Sequence, residues 1–311
     1  MPFSRIVALP GHLARVSRPS IIKQRGLVIF VIHRTVGPHT AIVLSCSGAG
    51  PAVFLLHGIG GHRGQWATQL EALSQNCAVF AWDARGYGDS HGPEVASMRD
   101  FADDLVRVLD GLNLERVIAI GHSMGGRILM EVCAHQPDRL AAMVLSGAQA
   151  SHLAHLDAAG RDHYVTSRES LFDDGAMSLQ GARGVAQQVL PADAPGALTD
   201  RLVADFGRLN RQGYLAALKA SLGWDRSDVL SGLKIPVAVM GGALDTVCPP
   251  PECARIADLV GQGPATILDG VAHMPQLEAP DLITDYLRGF ITAHAHLASR
   301  TDTRTLVAEQ P

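Results

Sequence analysis

Val117-Ile118-Ala119-Ile120 runs without interruption into Gly121-His122-Ser123-Met124-Gly125-Gly126. The four apolar residues read as a strand buried on both faces, and residues 124–135 carry a helical pattern. Between them stands a Gly-x-Ser-x-Gly turn, in the strand-to-helix context that such a turn needs in order to present a serine. A turn this tight forces a strained backbone at its centre, and side chains two positions before and after would collide with it. Gly121 and Gly125 fill those two places. The helix start beneath Ser123 aims unpaired N–H groups and a positive dipole end at any negative charge forming there.

The same alternation repeats on either side. Residues 52–56, 77–82, 143–145, 237–240 and 266–268 are apolar or nearly apolar runs of strand length, and helical patterns occupy 65–74, 97–112, 251–259 and 280–293. Such alternation predicts right-handed βαβ units and an α/β fold whose sheet is mostly parallel and doubly wound. From 148 to 232 the alternation lapses. Helical patterns at 178–189, 199–209 and 213–222 follow one another there with no strand run. This predicts a helical cap inserted over the C-terminal edge of the sheet, because a structureless loop of that length would be unusual. The core is then 40–147 together with 233–296, with an N-terminal extension over 1–39 and a C-terminal tail over 297–311.

Composition narrows the function. With 47 % hydrophobic and 18 % charged residues in 311, the chain has ample material for a large core. A net charge of −4 provides no global basic field, so nucleic acid is not an expected partner. Cys46, Cys77, Cys133, Cys248 and Cys253 are odd in number and widely scattered. They lack zinc-site spacing and read as reduced, buried thiols, which makes the cytoplasm the default location. Arg5, Arg15, Arg18, Lys23 and Arg25 lead into an apolar run at 27–32. That run is too short to span a bilayer or to serve as a signal core, and it reads as an appended segment or an extra edge strand. No membrane association is expected, and a homo-oligomer stays open.

A serine hydroxyl needs a base, and the base needs a carboxylate to hold its tautomer. Strand 236–240 runs into Gly241-Gly242-Ala243-Leu244-Asp245, and strand 265–268 runs into Asp269-Gly270-Val271-Ala272-His273. Both Asp245 and His273 therefore sit at the C-terminal ends of late strands, in the order serine, acid, histidine. Of fourteen histidines, His273 alone occupies such a loop ahead of a final helix. Asp269 is the competing acid, but it stands close before His273 in the same loop. An oxyanion hole needs two N–H donors. Met124, just after Ser123, supplies one, and Ile59 in His57-Gly58-Ile59-Gly60-Gly61 supplies the other. This glycine-rich loop lacks the Gly-Lys-Ser/Thr ending of a P-loop and the order of a dinucleotide site, so no cofactor or metal is expected. The turn at 83–90 reads as structural, pinned by Asp83 and Arg85.

Taken together, His57-Gly-Ile-Gly-Gly, the 83–90 turn, Gly-His-Ser123-Met-Gly-Gly, Gly242-Ala-Leu-Asp245 and Ala272-His273-Met-Pro-Gln-Leu-Glu278-Ala-Pro280 resemble the α/β-hydrolase superfamily over about residues 40–293. The resemblance implies Ser123 as nucleophile, Asp245 as acid, His273 as base, and Ile59 and Met124 as oxyanion donors. It implies that Glu278 and Pro280 cap the last helix. Within the superfamily, Gly213-Tyr214 with Ala216, Ala217 and Ala220, then Asp228 before Leu233, are similar to 3-oxoadipate enol-lactonases and small esterases. Meta-cleavage C–C hydrolases share much of this pattern. Hydrolysis of a small carboxylic ester or lactone is the expected activity, with C–C bond hydrolysis and acyl transfer or perhydrolysis as alternatives on the same triad. Cys248, three residues after Asp245, departs from the threonine more usual there. Arg161, Arg168, Arg183, Arg201, Arg208, Arg211 and Lys219 in the insertion read mostly as solvated helix faces, and a carboxylate clamp could be among them.

Overall fold

The computed structural model describes residues 20–24, 27–37 and 39–308. Strands β1 (Ser20–Gln24), β2 (Leu27–Gly37), β3 (Thr40–Ser47), β4 (Ala49–Leu56), β5 (Ala78–Trp82), β6 (Val117–His122) and β7 (Leu140–Ser146) come first. Two-residue strands β8 (Phe172–Asp173) and β9 (Ala176–Met177) follow, then β10 (Val237–Gly242), β11 (Thr266–Leu268) and β12 (Arg300–Asp302). The main sheet runs β1-β2-β3-β5-β4-β6-β7-β10-β11, with β12 pairing β4 off that path. From β5 to β11 the neighbours are parallel, while β1, β2 and β3 extend one edge antiparallel. The apolar run at 27–32 thus belongs to β2, beside β3, with β1 outside it. Most of the basic lead before it lies outside the described residues.

The parallel strands read as unbroken apolar runs because both faces are covered. Along β4, Phe54 and Leu56 enter one core while Val53 and Leu55 enter the other, the period-two alternation of a strand. Phe54 stacks on Phe80 of β5 at 4.9 Å in the first core. Helices α2 (Met98–Gly111), α3 (Met124–His135) and α9 (Pro250–Val260) cover that side. Helices α1 (Ala67–Leu73) and α11 (Pro280–His294) cover the other. Short α8 (Ser227–Leu230) and α10 (Pro275–Glu278) lead into β10 and α11.

Between β7 and β10 the chain leaves the sheet through α4 (Ala158–Glu169), the β8–β9 pair, α5 (Leu179–Val189), α6 (Gly196–Phe206) and α7 (Arg211–Ser221). The small hairpin is a departure from the expectation of an all-helical insertion. Among the described residues, no helix is long and apolar enough to cross a membrane.

The C-terminal residues join the sheet. Arg300, Thr301 and Asp302 pair antiparallel with Pro51, Gly50 and Ala49. Ala52 N–H donates to Ser299 O at 2.8 Å, and Thr303 donates to Gly48 O through both its N–H and its hydroxyl. Helix α12 (Thr303–Ala308) then buries Leu306. Removing residues 299–311 should therefore lower stability by about 3 kcal/mol, from a few net hydrogen bonds and one buried leucine. Urea unfolding of the truncated chain checks this, and an unchanged midpoint would show that β12 is ornamental.

Candidate active site

Ser123 sits between the end of β6 and the first residue of α3, with φ +51° and ψ −113°. No side chain adopts this conformation cheaply, so the surrounding contacts must impose it. Ser123 N–H donates to Ser146 O at the end of β7 at 2.9 Å, which fastens the elbow to the sheet. The flanking glycines are required for a reason more specific than collision with Ser123. A Cβ on Gly121 would lie 2.5 Å from the Gly125 carbonyl carbon, and one on Gly125 would lie 2.5 Å from Leu56 O in β4. Only the absence of both lets α3 start this close to the sheet. Met124, first residue of α3, has an N–H with no partner inside the helix.

His273 and Asp245 meet. His273 Nδ1 hydrogen-bonds Asp245 Oδ2 at 2.7 Å, with both residues buried. Asp245 Oδ1 accepts the N–H groups of Val247 and Cys248, each at 2.8 Å. With its two oxygens committed in this way, the carboxylate is fixed in orientation and leaves His273 Nε2 to face other groups. Asp269 is exposed. The side chain of His273 bonds Asp245, and no hydrogen bond joins it to Ser123 Oγ. Cys248 is buried, and its bond to Cys253 together with burial pushes its thiol up.

The loop carrying His273 is clamped from several directions. Ala272 and Met274 N–H donate to the two oxygens of Glu278, at 2.7 and 2.6 Å. Glu278 therefore folds back on the loop and does not cap α11, as the resemblance had implied; Pro280 is that helix's first residue. His273 N–H donates to Val189 O, at the end of α5, at 3.1 Å. His122 Nε2–H donates to His273 O at 2.7 Å, with the two rings 4.9 Å apart. Neither Val189 nor His122 was legible as a site residue, because both act through backbone atoms of a distant segment.

The glycine-rich loop after β4 closes the other side. A Cβ on Gly58 would come within 2.9 Å of Ser123 Cβ, so the loop lies directly against the elbow. His57 fixes it: Nδ1–H donates to Gly58 O at 2.8 Å, and Nε2 accepts Ala84 N–H at 3.0 Å. That pattern uses the neutral ring, and burial pulls the pKa of His57 down to about 4. Asp83 accepts from Arg63 and Asp89 N–H groups at 2.7 and 3.0 Å, while Arg85 reaches away to buried Asp104. Ile59 is half-buried within this loop. Above it, Phe206 and Leu209 of the insertion pack on Gly60, and His62 pairs with Asp205 at 3.1 Å. Among the described residues, no group of three or more His, Cys, Asp or Glu is placed to hold a metal ion.

The site thus combines a strained serine at a helix start with a buried Asp–His pair. The family model for the alpha/beta hydrolase fold matches residues 51–280. The chain belongs to the α/β-hydrolase family and is a hydrolase of that family. RutD of Agrobacterium fabrum, a carbamate hydrolase by name, is 28 % identical over 255 residues, 78 % of this chain and 93 % of its own. The 3-oxoadipate enol-lactonase 1 of Acinetobacter baylyi is 22 % identical over 242 residues, 78 % of this chain and 88 % of its own. An esterase structure from Thermogutta terrifontis shares the fold at TM-score 0.75 and 24 % identity, over 90 % of this chain and all of that one.

Two histidines of the site, His57 and His122, and His152 of the insertion are buried in the neutral form. Burial lowers His57 to about 4, His122 to about 3 and His152 to about 2, against 6.5 when exposed. Below pH 6.5 the unfolded chain therefore binds protons that the folded chain refuses. Stability from these groups should be complete above that pH and fall as pH drops toward 4, by about 1.4 kcal/mol per pH unit for each histidine. Urea midpoints at pH 7.5, 6 and 5 check the sign; equal midpoints would refute it.

Proposed function

We propose that this protein hydrolyses a small carboxylic ester or (enol-)lactone without a cofactor, using Ser123, His273 and Asp245 as its triad. The observation that carries the reading is the buried 2.7 Å Asp245–His273 contact beside a serine held at φ +51°. Asp245 holds the Nδ1–H tautomer, so Nε2 is the free base. Ser123 Oγ gives its proton to His273 Nε2 as it bonds the substrate carbonyl carbon. The N–H groups of Ile59 and Met124 take the charge that develops on the carbonyl oxygen. The C–O bond then breaks, and His273 returns the proton to the leaving oxygen. Water then attacks the acyl-enzyme, losing a proton to His273, which passes it to Ser123 Oγ as the acyl–oxygen bond breaks and the acid leaves.

The position of Gly58 against Ser123 supports this assignment, because it brings the loop that carries Ile59 to the nucleophile. The enol-lactonase and esterase names among the similar proteins agree with an oxygen-ester bond. The carbamate name makes a carbamate the first competitor to include in any substrate panel. Ser123→Ala and His273→Ala should each reduce kcat by about three orders of magnitude or more on p-nitrophenyl acetate while KM changes little. Full activity in Ser123→Ala would sink the nucleophile assignment. Faster turnover of a p-nitrophenyl carbamate, or of a vinylogous 1,5-diketone, than of any ester or lactone would replace the substrate class and leave the triad standing.

A further inference from the structure

One turn beyond Ser123, α3 buries a positive charge that nothing in the fold neutralises. Arg127 is 2 % exposed. Its Nε and Nη1 are buried without a hydrogen-bond partner, and Nη2 reaches only Gln149 Oε1, at 3.5 Å. The neighbouring carboxylates are engaged elsewhere. Glu131, a turn further on, holds Trp224 Nε1 at 2.8 Å along with Arg226 and His135. Asp245 is saturated by His273 and two backbone N–H groups. Other well-shielded arginines of this chain are treated differently: Arg85 lies on buried Asp104, and Arg63 lies on Asp83 and Asp89.

Leaving a guanidinium buried and unpaired costs several kcal/mol. Burial lowers Arg127 to about 10, which still leaves it charged at neutral pH. A counterion that arrives with a ligand removes the cost. The site of that ligand follows from the helix. Residues four apart share a face and are separated by about 6 Å along the axis. Helical side chains lean toward the N-terminus, which for Arg127 is toward Ser123. Tyr87, Cys248 and the insertion's Tyr164 all lie within reach of its charge. Tyr87 packs on His57 of the oxyanion loop, and Cys248 follows Asp245. The elements that enclose Ser123 therefore enclose Arg127 as well.

We propose that Arg127 receives a carboxylate of the substrate, so that the ester or lactone cleaved at Ser123 carries a free acid group a few carbons from the scissile carbonyl. This rests on Ser123 acting as nucleophile. The seven basic residues of the insertion do not take this role: Arg183, Arg201, Arg208, Arg211 and Lys219 are exposed, Arg161 donates to Leu156 O, and Arg168 lies over Tyr164.

The test compares mono-p-nitrophenyl glutarate with p-nitrophenyl pentanoate, neutral and similar in length. The wild-type ratio of kcat/KM should favour the anionic ester at least tenfold. Arg127→Met should lower that ratio at least tenfold and, by removing an unpaired buried charge, raise the melting temperature of the ligand-free protein. Arg127→Gln keeps a donor toward Gln149 without the charge; it should lower the ratio equally and decides the matter if Arg127→Met does not fold. A wild-type ratio near one, or a ratio untouched by either substitution, overturns the proposal. If the wild type cleaves neither ester, the ester reading has failed, and calorimetry with glutarate then judges Arg127 independently. Millimolar or tighter binding that disappears in the variant upholds the anion site, and no binding by the wild type overturns it.

Discussion

The closeness of α3 to the sheet is the constraint on which the rest of the site depends. Gly125 lies against Leu56 O, and Gly121 against the Gly125 backbone, at separations that would allow no Cβ on either glycine. Because the helix begins so near β4 and β6, the single residue joining strand to helix has no ordinary conformation available, and Ser123 is driven to positive φ. The strain is held by backbone bonds on both sides, from Ser123 N–H to Ser146 O and from Gly126 N–H to Ser123 O. A longer connection would relax the serine and also withdraw the helix's free N–H groups from it. Strain and electrostatics at the site thus have one structural cause.

Around that fixed point, the second half of the site is assembled from segments far apart in sequence. His273 is held by Asp245 at its ring, by Val189 and His122 at its backbone, and by Glu278 on both neighbouring N–H groups. The bond to Val189 O couples the base directly to α5 of the insertion. The same insertion packs Phe206 on Gly60 and sets Gly213 against Gly86, where a Cβ on Gly213 would fall 2.1 Å from Gly86 O. The roof is therefore continuous with the machinery beneath it, and a movement of α5 or α6 would reach both the base and the oxyanion loop.

What was legible in the sequence followed from burial. The strands are unbroken apolar runs because both their faces are covered, and the elbow is marked because only glycine fits its contacts. Asp245 and His273 were found through their place after strands β10 and β11. Illegible features share the opposite property. Helix α4 fully buries none of its side chains and packs only Tyr164 and Val165 partly against the core, so no apolar stripe announced it. The β8–β9 pair is two residues per strand and too short to carry a period. Glu278 was recognised by its neighbourhood but assigned to the wrong end of its segment, because its partners are backbone N–H groups that have no signature in sequence. Arg127 was invisible for a related reason. On an amphipathic helix an arginine reads as solvated, and only the fold shows that solvent is excluded.

The handling of buried polar groups gives the clearest internal comparison. His57 is matched at both nitrogens as a neutral ring, and Arg85 and Arg226 are matched by Asp104 and Glu131. His57 is thus satisfied by choice of tautomer, and Arg85 by a carboxylate. Arg127 receives neither, and it lies where the insertion excludes water. In such a setting a charge interacts more strongly with whatever reaches it than it would at the surface. The roof that withholds solvent from Arg127 also makes the arginine selective, since a neutral ligand would leave the desolvation cost in place and an anionic one would remove it.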